Sequence, residues 1–126
     1  MHKILIVDDE QPIVEILSES LRYSGYKCLS ANSVSEAKKV LNEHSDIEII
    51  LSDIVMPEET GKDLVEWVKK SEFSSIDIIL MTGFSSEDRG DLYKLGVETI
   101  ISKPFDIDQL TLTLANTGLN RPFSDA

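Results

Sequence analysis

Cysteine is nearly missing from this chain: Cys28 stands alone among 126 residues. That excludes an internal disulfide and a multi-cysteine metal site, and the apolar-leaning surroundings of Cys28 mark it as an ordinary buried thiol. Aromatic residues are scarce at 6%. Phe73, Phe123, Tyr23, Tyr26 and Tyr93 are not interleaved with basic side chains, as a nucleic-acid stacking platform requires. Basic residues are also few, 12 against 23 acidic ones, and none forms a run longer than two. The resulting net charge of −11 disfavours phosphate backbones and anionic lipid as partners and favours cations and basic protein surfaces. No apolar stretch approaches the roughly 18 residues of a membrane span. The opening Met-His-Lys-Ile-Leu-Ile-Val passes directly into Asp8-Asp9-Glu10 without a small-residue cleavage site. A cytoplasmic location is therefore expected, with no direct binding of nucleic acid or membrane. His2 and His44 have no other ligand at helical or loop spacing and read as terminal or surface residues.

What is present suffices for one core. Apolar residues make up 41% of the chain, and a domain of this length buries roughly two-thirds of the surface its unfolded chain exposes. Five apolar runs stand out, Lys3 to Val7, Lys27 to Ala31, Ile47 to Ser52, Ile76 to Met81 and Val97 to Ser102. Each is followed by a segment of helical length, the pattern of parallel strands covered on both faces. The first helix is predicted from Pro12 to Ser24, with Ile13, Ile16, Leu17 and Leu21 inward and Gly25 as its end. Ser33 caps a second, with Glu36 three residues on and Ala37, Val40 and Leu41 at helical spacing. Thr60 or Gly61 opens a third, carrying Leu64, Val65 and Val68 inward. Trp67 on that helix reads as partly buried packing. A fourth, weak helix starts near Ser85 or Ser86; Gly90 lies inside it, and Leu92, Tyr93 and Leu95 are its packing groups. The fifth runs from Asp106 to Thr117, with Ile107, Leu110 and Leu114 on one face and Gly118 as its stop. Right-handed crossovers then give an α/β, doubly wound (βα)5 domain.

Ligands of such sheets bind outside the carboxyl ends of the strands. That rule gathers Asp8 and Asp9 after the first strand, Asp53 after the third, Thr82 after the fourth and Lys103 after the fifth, with Met56 and Met81 packing beside them. Three carboxylates on one rim repel one another unless a cation offsets them, and hard oxygen ligands suit Mg2+. Asp53 ends the apolar segment Ile49-Ile50-Leu51-Ser52, an odd place for a carboxylate that serves only solubility. Asp53 can act as a nucleophile on phosphorus, with Lys103 holding one phosphoryl oxygen and Thr82 another. Lys103 can equally pair with Asp53.

Four stretches in order, Ile4-Leu5-Ile6-Val7-Asp8-Asp9-Glu10, Leu51-Ser52-Asp53-Ile54-Val55-Met56-Pro57 with Gly61, Met81-Thr82-Gly83 and Ser102-Lys103-Pro104-Phe105, resemble a response-regulator receiver domain of bacterial two-component signalling. The resemblance covers about residues 2 to 117. It implies a flavodoxin-like, three-layer fold with a five-stranded parallel sheet of order 2-1-3-4-5. It implies that Asp53 is the phosphoacceptor, served by a sensor histidine kinase or a histidine phosphotransfer protein docking near the first helix. It further implies Mg2+, or Mn2+ in its place, bound by Asp9, Asp53 and the Val55 main-chain carbonyl, with Asp8 acting through water. Lys103 would contact the phosphoryl group, and Lys103-Pro104 would be a cis peptide. The face made by the fourth helix, the fifth strand and the fifth helix would serve output or a homodimer.

Two departures matter. Receivers usually carry Tyr or Phe three positions before the lysine, a ring that turns inward as the threonine moves; here Ile100 stands there. Ile100 either packs inward permanently, or Thr82 and the fourth helix carry the change without a rotating ring. Val55 and Phe84, beyond the phosphoacceptor and the threonine, are both apolar and hold no attacking water, so slow autodephosphorylation is expected beside self-phosphorylation from small donors. Gly83 and Pro104 complete the surroundings of the switch. Residues 1–118 are assigned to the receiver domain and 119–126 to a short tail or the start of a linker, with output through another protein or a fused domain. Two rival readings remain, an Asp-nucleophile phosphatase and a receiver-like binding module no longer controlled by phosphorylation.

Overall fold

The five apolar runs become five parallel strands, and the alternation of side chains along each divides the core in two. The computed structural model describes residues 3–83, 89–103 and 106–118. In chain order the elements are β1 (Lys3–Val7), α1 (Gln11–Tyr23), β2 (Lys27–Ala31), α2 (Val34–Glu43), β3 (Ile49–Asp53), α3 (Gly61–Lys69), β4 (Asp77–Thr82), α4 (Arg89–Lys94), β5 (Thr99–Ser102) and α5 (Ile107–Gly118). The sheet order is β2-β1-β3-β4-β5, as the resemblance implies. Successive strand residues point to opposite faces. Leu5, Val7, Ile50, Ile78, Leu80 and Ile100 therefore pack with the apolar stripes of α2 and α3 and with Leu92 of α4. Ile4, Ile6, Ile49, Leu51, Ile79, Met81 and Ile101 pack with Val14, Leu17 and Leu21 of α1 and Leu110 and Leu114 of α5. Cys28 is buried in the second cluster, and burial pushes its thiol up.

The sequence reading needs correction at three places. Ile16, expected inward, is 59% exposed, and Val14 and Ser18 are buried on α1 instead. At about 100° per residue, Val14, Leu17 and Leu21 fall within about 60° of one another, whereas Ile16 lies about 100° to the far side of Leu17. Tyr93 is 45% exposed, so it does not share the packing of Leu92. The third, fourth and fifth strands also start later than their apolar runs. β3 and β4 also run one residue further, so that Asp53 and Thr82 are their last residues, paired in register with Met81 and Ser102. The predicted start of the fourth helix at Ser85 or Ser86 and the tail 119–126 lie outside the described residues.

Helix starts follow local chemistry. The Thr60 hydroxyl accepts a hydrogen bond from the Asp63 N–H at 3.3 Å, and the Asp63 carboxylate accepts one from the Thr60 N–H at 2.8 Å. This reciprocal pair fixes the entry to α3. Thr60→Ala is expected to cost about 1 kcal/mol, read as a lower urea midpoint at unchanged slope; an unmoved midpoint would refute the cap. Trp67 is partly buried beside Phe73, ring centroids 5.9 Å apart, with the Lys38 ammonium 5.4 Å from its ring. Among the described residues no helix is long and apolar enough to cross a membrane.

Candidate functional site

Parallel pairing ends β1, β3, β4 and β5 on one rim, and the main chain there carries the polar residues inward. The Lys103 N–H donates to the Thr82 carbonyl at 2.6 Å, which places the lysine one residue beyond the end of β5. Its ammonium lies 3.3 Å from Asp53 Oδ2 and 3.6 Å from Asp8 Oδ2. Asp53 is buried, and its Oδ1 faces the Val55 N–H at 3.4 Å. Asp9 is exposed, yet carboxylate oxygens of Asp8, Asp9 and Asp53 all lie within 4.8 Å of one another. Thr82 is buried at the same rim, and Gly83 after it is exposed. The structure thus brings Asp8, Asp9, Asp53 and Lys103 together, with Thr82 at the neighbouring strand end.

Asp8 carries the most informative electrostatics. It is fully buried; its Oδ1 accepts from the Glu10 N–H at 3.0 Å, and its Oδ2 has no hydrogen-bond partner. Lys103 at 3.6 Å is too far for one. Burial pushes the Asp8 carboxyl above the usual range, the Glu10 N–H and the Lys103 charge oppose the rise, and Asp53 and Asp9 add to it. One ammonium therefore faces three carboxylates, one of them with a buried oxygen lacking a partner. A hard divalent cation fits this donor set, since it offsets the surplus charge and takes the orphaned oxygen, directly or through water.

Val55 is 53% exposed beside Asp53, whereas Ile100 is buried in the core cluster shared with α2 and α3. Phe84, Pro104 and the expected cis peptide lie outside the described residues. Sequence reasoning passed over two contributors. Gly61 lies against the main chain of Asp53, where an added Cβ would stand 2.5 Å from the Asp53 carbonyl oxygen. Asn32, at the end of β2, donates from its amide to the Asp8 carbonyl at 3.3 Å and to Gln11 Oε1 at 2.9 Å. Nothing in the sequence marks Asn32; Gly61 was visible as part of a motif, but not its contact.

Residues 4–115 match the family model of the response regulator receiver domain. The chain belongs to the response-regulator receiver family. This receiver domain is 36% identical over 116 residues to the response regulator SaeR of Staphylococcus aureus, a match covering 92% of this chain and 50% of that protein. The chain thus spans about half the length of the curated relatives it matches. Among solved structures, a response regulator receiver protein from Pseudomonas putida superposes with a TM-score of 0.87 at 28% identity, covering 91% of this chain and 96% of that one. The response regulator TrrA from Thermotoga maritima, solved in complex with Mg(2+)-BeF, gives 0.81 at 31% identity, covering 92% and 98%. The receiver domain accordingly belongs to two-component signalling.

Proposed function

We propose that Asp53 of this receiver domain accepts a phosphoryl group from a phosphohistidine of a sensor kinase or phosphotransfer protein. An Asp53 carboxylate oxygen forms the new bond to phosphorus as the P–N bond breaks, and the bonding pair leaves on the imidazole nitrogen. Lys103, already 3.3 Å from Asp53 Oδ2, follows the charge onto a phosphoryl oxygen. The Thr82 hydroxyl donates to another. Asp9, Asp53 and the Val55 carbonyl would hold Mg2+, or Mn2+ in its place, with Asp8 behind a water. The ion supplies neutralisation of the phosphoryl oxygens. The observation that carries this reading is the buried Asp8 Oδ2, without a hydrogen bond, within a three-carboxylate cluster that shares one ammonium. The Mg(2+)-BeF complex of the Thermotoga maritima relative supports it.

The acyl phosphate, carrying about two negative charges where the carboxylate carried one, biases the output face of α4, β5 and α5. Tyr93 and Leu112 are exposed on that face, as contacts for an output protein, a fused output domain or a second copy. Ile100, buried in the core, stays inward, and Thr82 with α4 carries the change. On α1 the exposed Ile16 offers an apolar contact to the phosphodonor. Residues 1–118 form the functional unit, 119–126 a tail or linker, and the setting is the cytoplasm.

The test is intact mass after incubation with Mg2+ and acetyl phosphate, repeated in EDTA, with the modified residue mapped by fragmentation. A metal-dependent gain of one phosphoryl group on Asp53 is expected. No gain from acetyl phosphate or from a phosphohistidine protein, in a folded chain that binds Mg2+, would favour a binding module, and steady turnover of a phosphomonoester would favour a phosphatase; either would overturn the proposal. Because Val55 is apolar, it holds no attacking water. Val55→Asn is therefore expected to shorten the phosphoryl lifetime several-fold after donor removal, and an unchanged decay would contradict this role.

A further inference from the structure

We infer that Asn32 is a positioning residue for the metal-binding acids, holding the segment Asp8–Asp9 through its main chain. The inference rests on the proposed reading of the carboxylate cluster as a divalent-cation site. That segment joins β1 to α1, and the N-cap of α1 makes no capping bond of its own: the Glu10 side chain accepts none from the first turn. Support comes instead from the neighbouring strand. The Asp8 N–H donates to the Ala31 carbonyl at 3.1 Å, and one residue later the Asn32 amide donates to the Asp8 carbonyl and to Gln11 Oε1. Gln11 in turn donates to Glu15 at 3.3 Å, one helical turn on. The two donors of one amide thus hold the acidic segment at two points, one at the Asp8–Asp9 peptide and one just after it at Gln11.

Asn32 is itself held. Its N–H donates to Glu36 Oε1 at 2.7 Å, while the Glu36 N–H donates to the Ser33 hydroxyl at 3.1 Å. The Glu36 carboxylate thus holds the Asn32 main chain directly, and the Asn32 side-chain amide makes the reach to Asp8. The Asp8 carbonyl belongs to the peptide that leads into Asp9, so fixing it fixes the direction from which the exposed Asp9 carboxylate approaches Asp8 and Asp53. A ligand set whose oxygens converge within 4.8 Å is sensitive to that direction, because each ligand that must be re-ordered on binding weakens the site.

The experiment is calorimetric titration of Mg2+ into the whole chain and into Asn32→Ala, Asn32→Gln and Ser33→Ala, with each melting temperature measured in EDTA. Asn32→Ala is expected to raise the Mg2+ dissociation constant about three- to tenfold, the scale of a lost hydrogen bond. Asn32→Gln, which keeps both donors, recovers part of that loss. Ser33→Ala loosens the same helix start but keeps the Asn32 amide, so it lowers the melting temperature and leaves the Mg2+ constant unchanged. Equal Mg2+ binding in wild type and Asn32→Ala overturns the inference while the cation site stands. So does an equal weakening by Ser33→Ala, which would show general loosening. Absence of Mg2+ binding in the wild type removes the cation reading itself, and this inference with it.

Discussion

Asp8→Asn is expected to make the chain more stable in EDTA and to weaken its Mg2+ binding about 10- to 100-fold, the range found when outer-shell partners of a metal site are removed. Both effects have one cause. Asp8 is fully buried with no hydrogen bond to Oδ2 and the Lys103 ammonium 3.6 Å away, shared with Asp53, and a buried polar group left without a hydrogen bond costs about 1–3 kcal/mol, more when charged. Asn keeps an oxygen for the Glu10 N–H and removes the charge. The pH dependence gives the sign independently. The Asp8 carboxyl is raised above 3.8 by burial, so between 3.8 and that raised value the folded chain binds more protons than the unfolded one. Its stability then falls as pH rises through this window and is regained on acidification. The stability gap between Asp8→Asn and wild type should accordingly widen as pH rises above 3.8 and level off once Asp8 is ionised in the folded chain; its plateau is that of an unsatisfied buried polar group, about 1 kcal/mol or more, roughly 4 °C in melting temperature. Saturating Mg2+ should close or reverse the gap, since at a given concentration the ion stabilises the tighter-binding wild type more. A variant less stable than wild type in EDTA at neutral pH would refute this account.

The same residue shows what the sequence makes legible. Asp8, Asp9, Asp53, Thr82 and Lys103 could be assembled in advance because strands buried on both faces leave continuous apolar runs, and a parallel sheet puts all their carboxyl ends on one rim. Composition could not reveal where each run stops pairing. Asp53 and Thr82 lie inside the last hydrogen-bonded pairs, opposite Met81 and Ser102, since ladder register depends on neighbours distant in sequence. Ile16 was misplaced for a related reason. The five aliphatic residues on α1, Ile13, Val14, Ile16, Leu17 and Leu21, admit two overlapping stripes, and the sheet selects the one through Val14. Asn32 was invisible because its role depends on bonds to Asp8 and Gln11, 24 and 21 residues away. The Ser33 and Glu36 spacing marked the correct helix start, but not that the Glu36 carboxylate takes the N–H of Asn32.

Gly61→Ala is expected to be strongly destabilising, for a reason that involves no special backbone angle. An added Cβ would stand 2.5 Å from the Asp53 carbonyl oxygen, 2.9 Å from Ile54 Cα and 3.2 Å from the Asp53 carbonyl carbon. All three are main-chain atoms, so no side chain can rotate away. The Gly61 N–H meanwhile donates to the Ile54 carbonyl at 2.8 Å, which pins the start of α3 against the end of β3. Relief requires the two segments to part, breaking that bond and shifting the residue proposed to receive the phosphoryl group. Overpacking of this kind costs about 1–3 kcal/mol or more, and loss of the pinning bond adds to it. Gly83→Ala is the control at the neighbouring strand end: its Cβ would meet nothing within 4 Å, and a change within about 0.5 kcal/mol is expected. Urea unfolding of both variants reads the stability, and acetyl phosphate labelling of the remaining folded Gly61→Ala chain reads the displacement of Asp53. Labelling at the wild-type rate would show that the strand end holds Asp53 without the glycine contact. A slow rate in a folded variant would show that the close approach of α3 sets the position of the carboxylate as well as the stability of the fold.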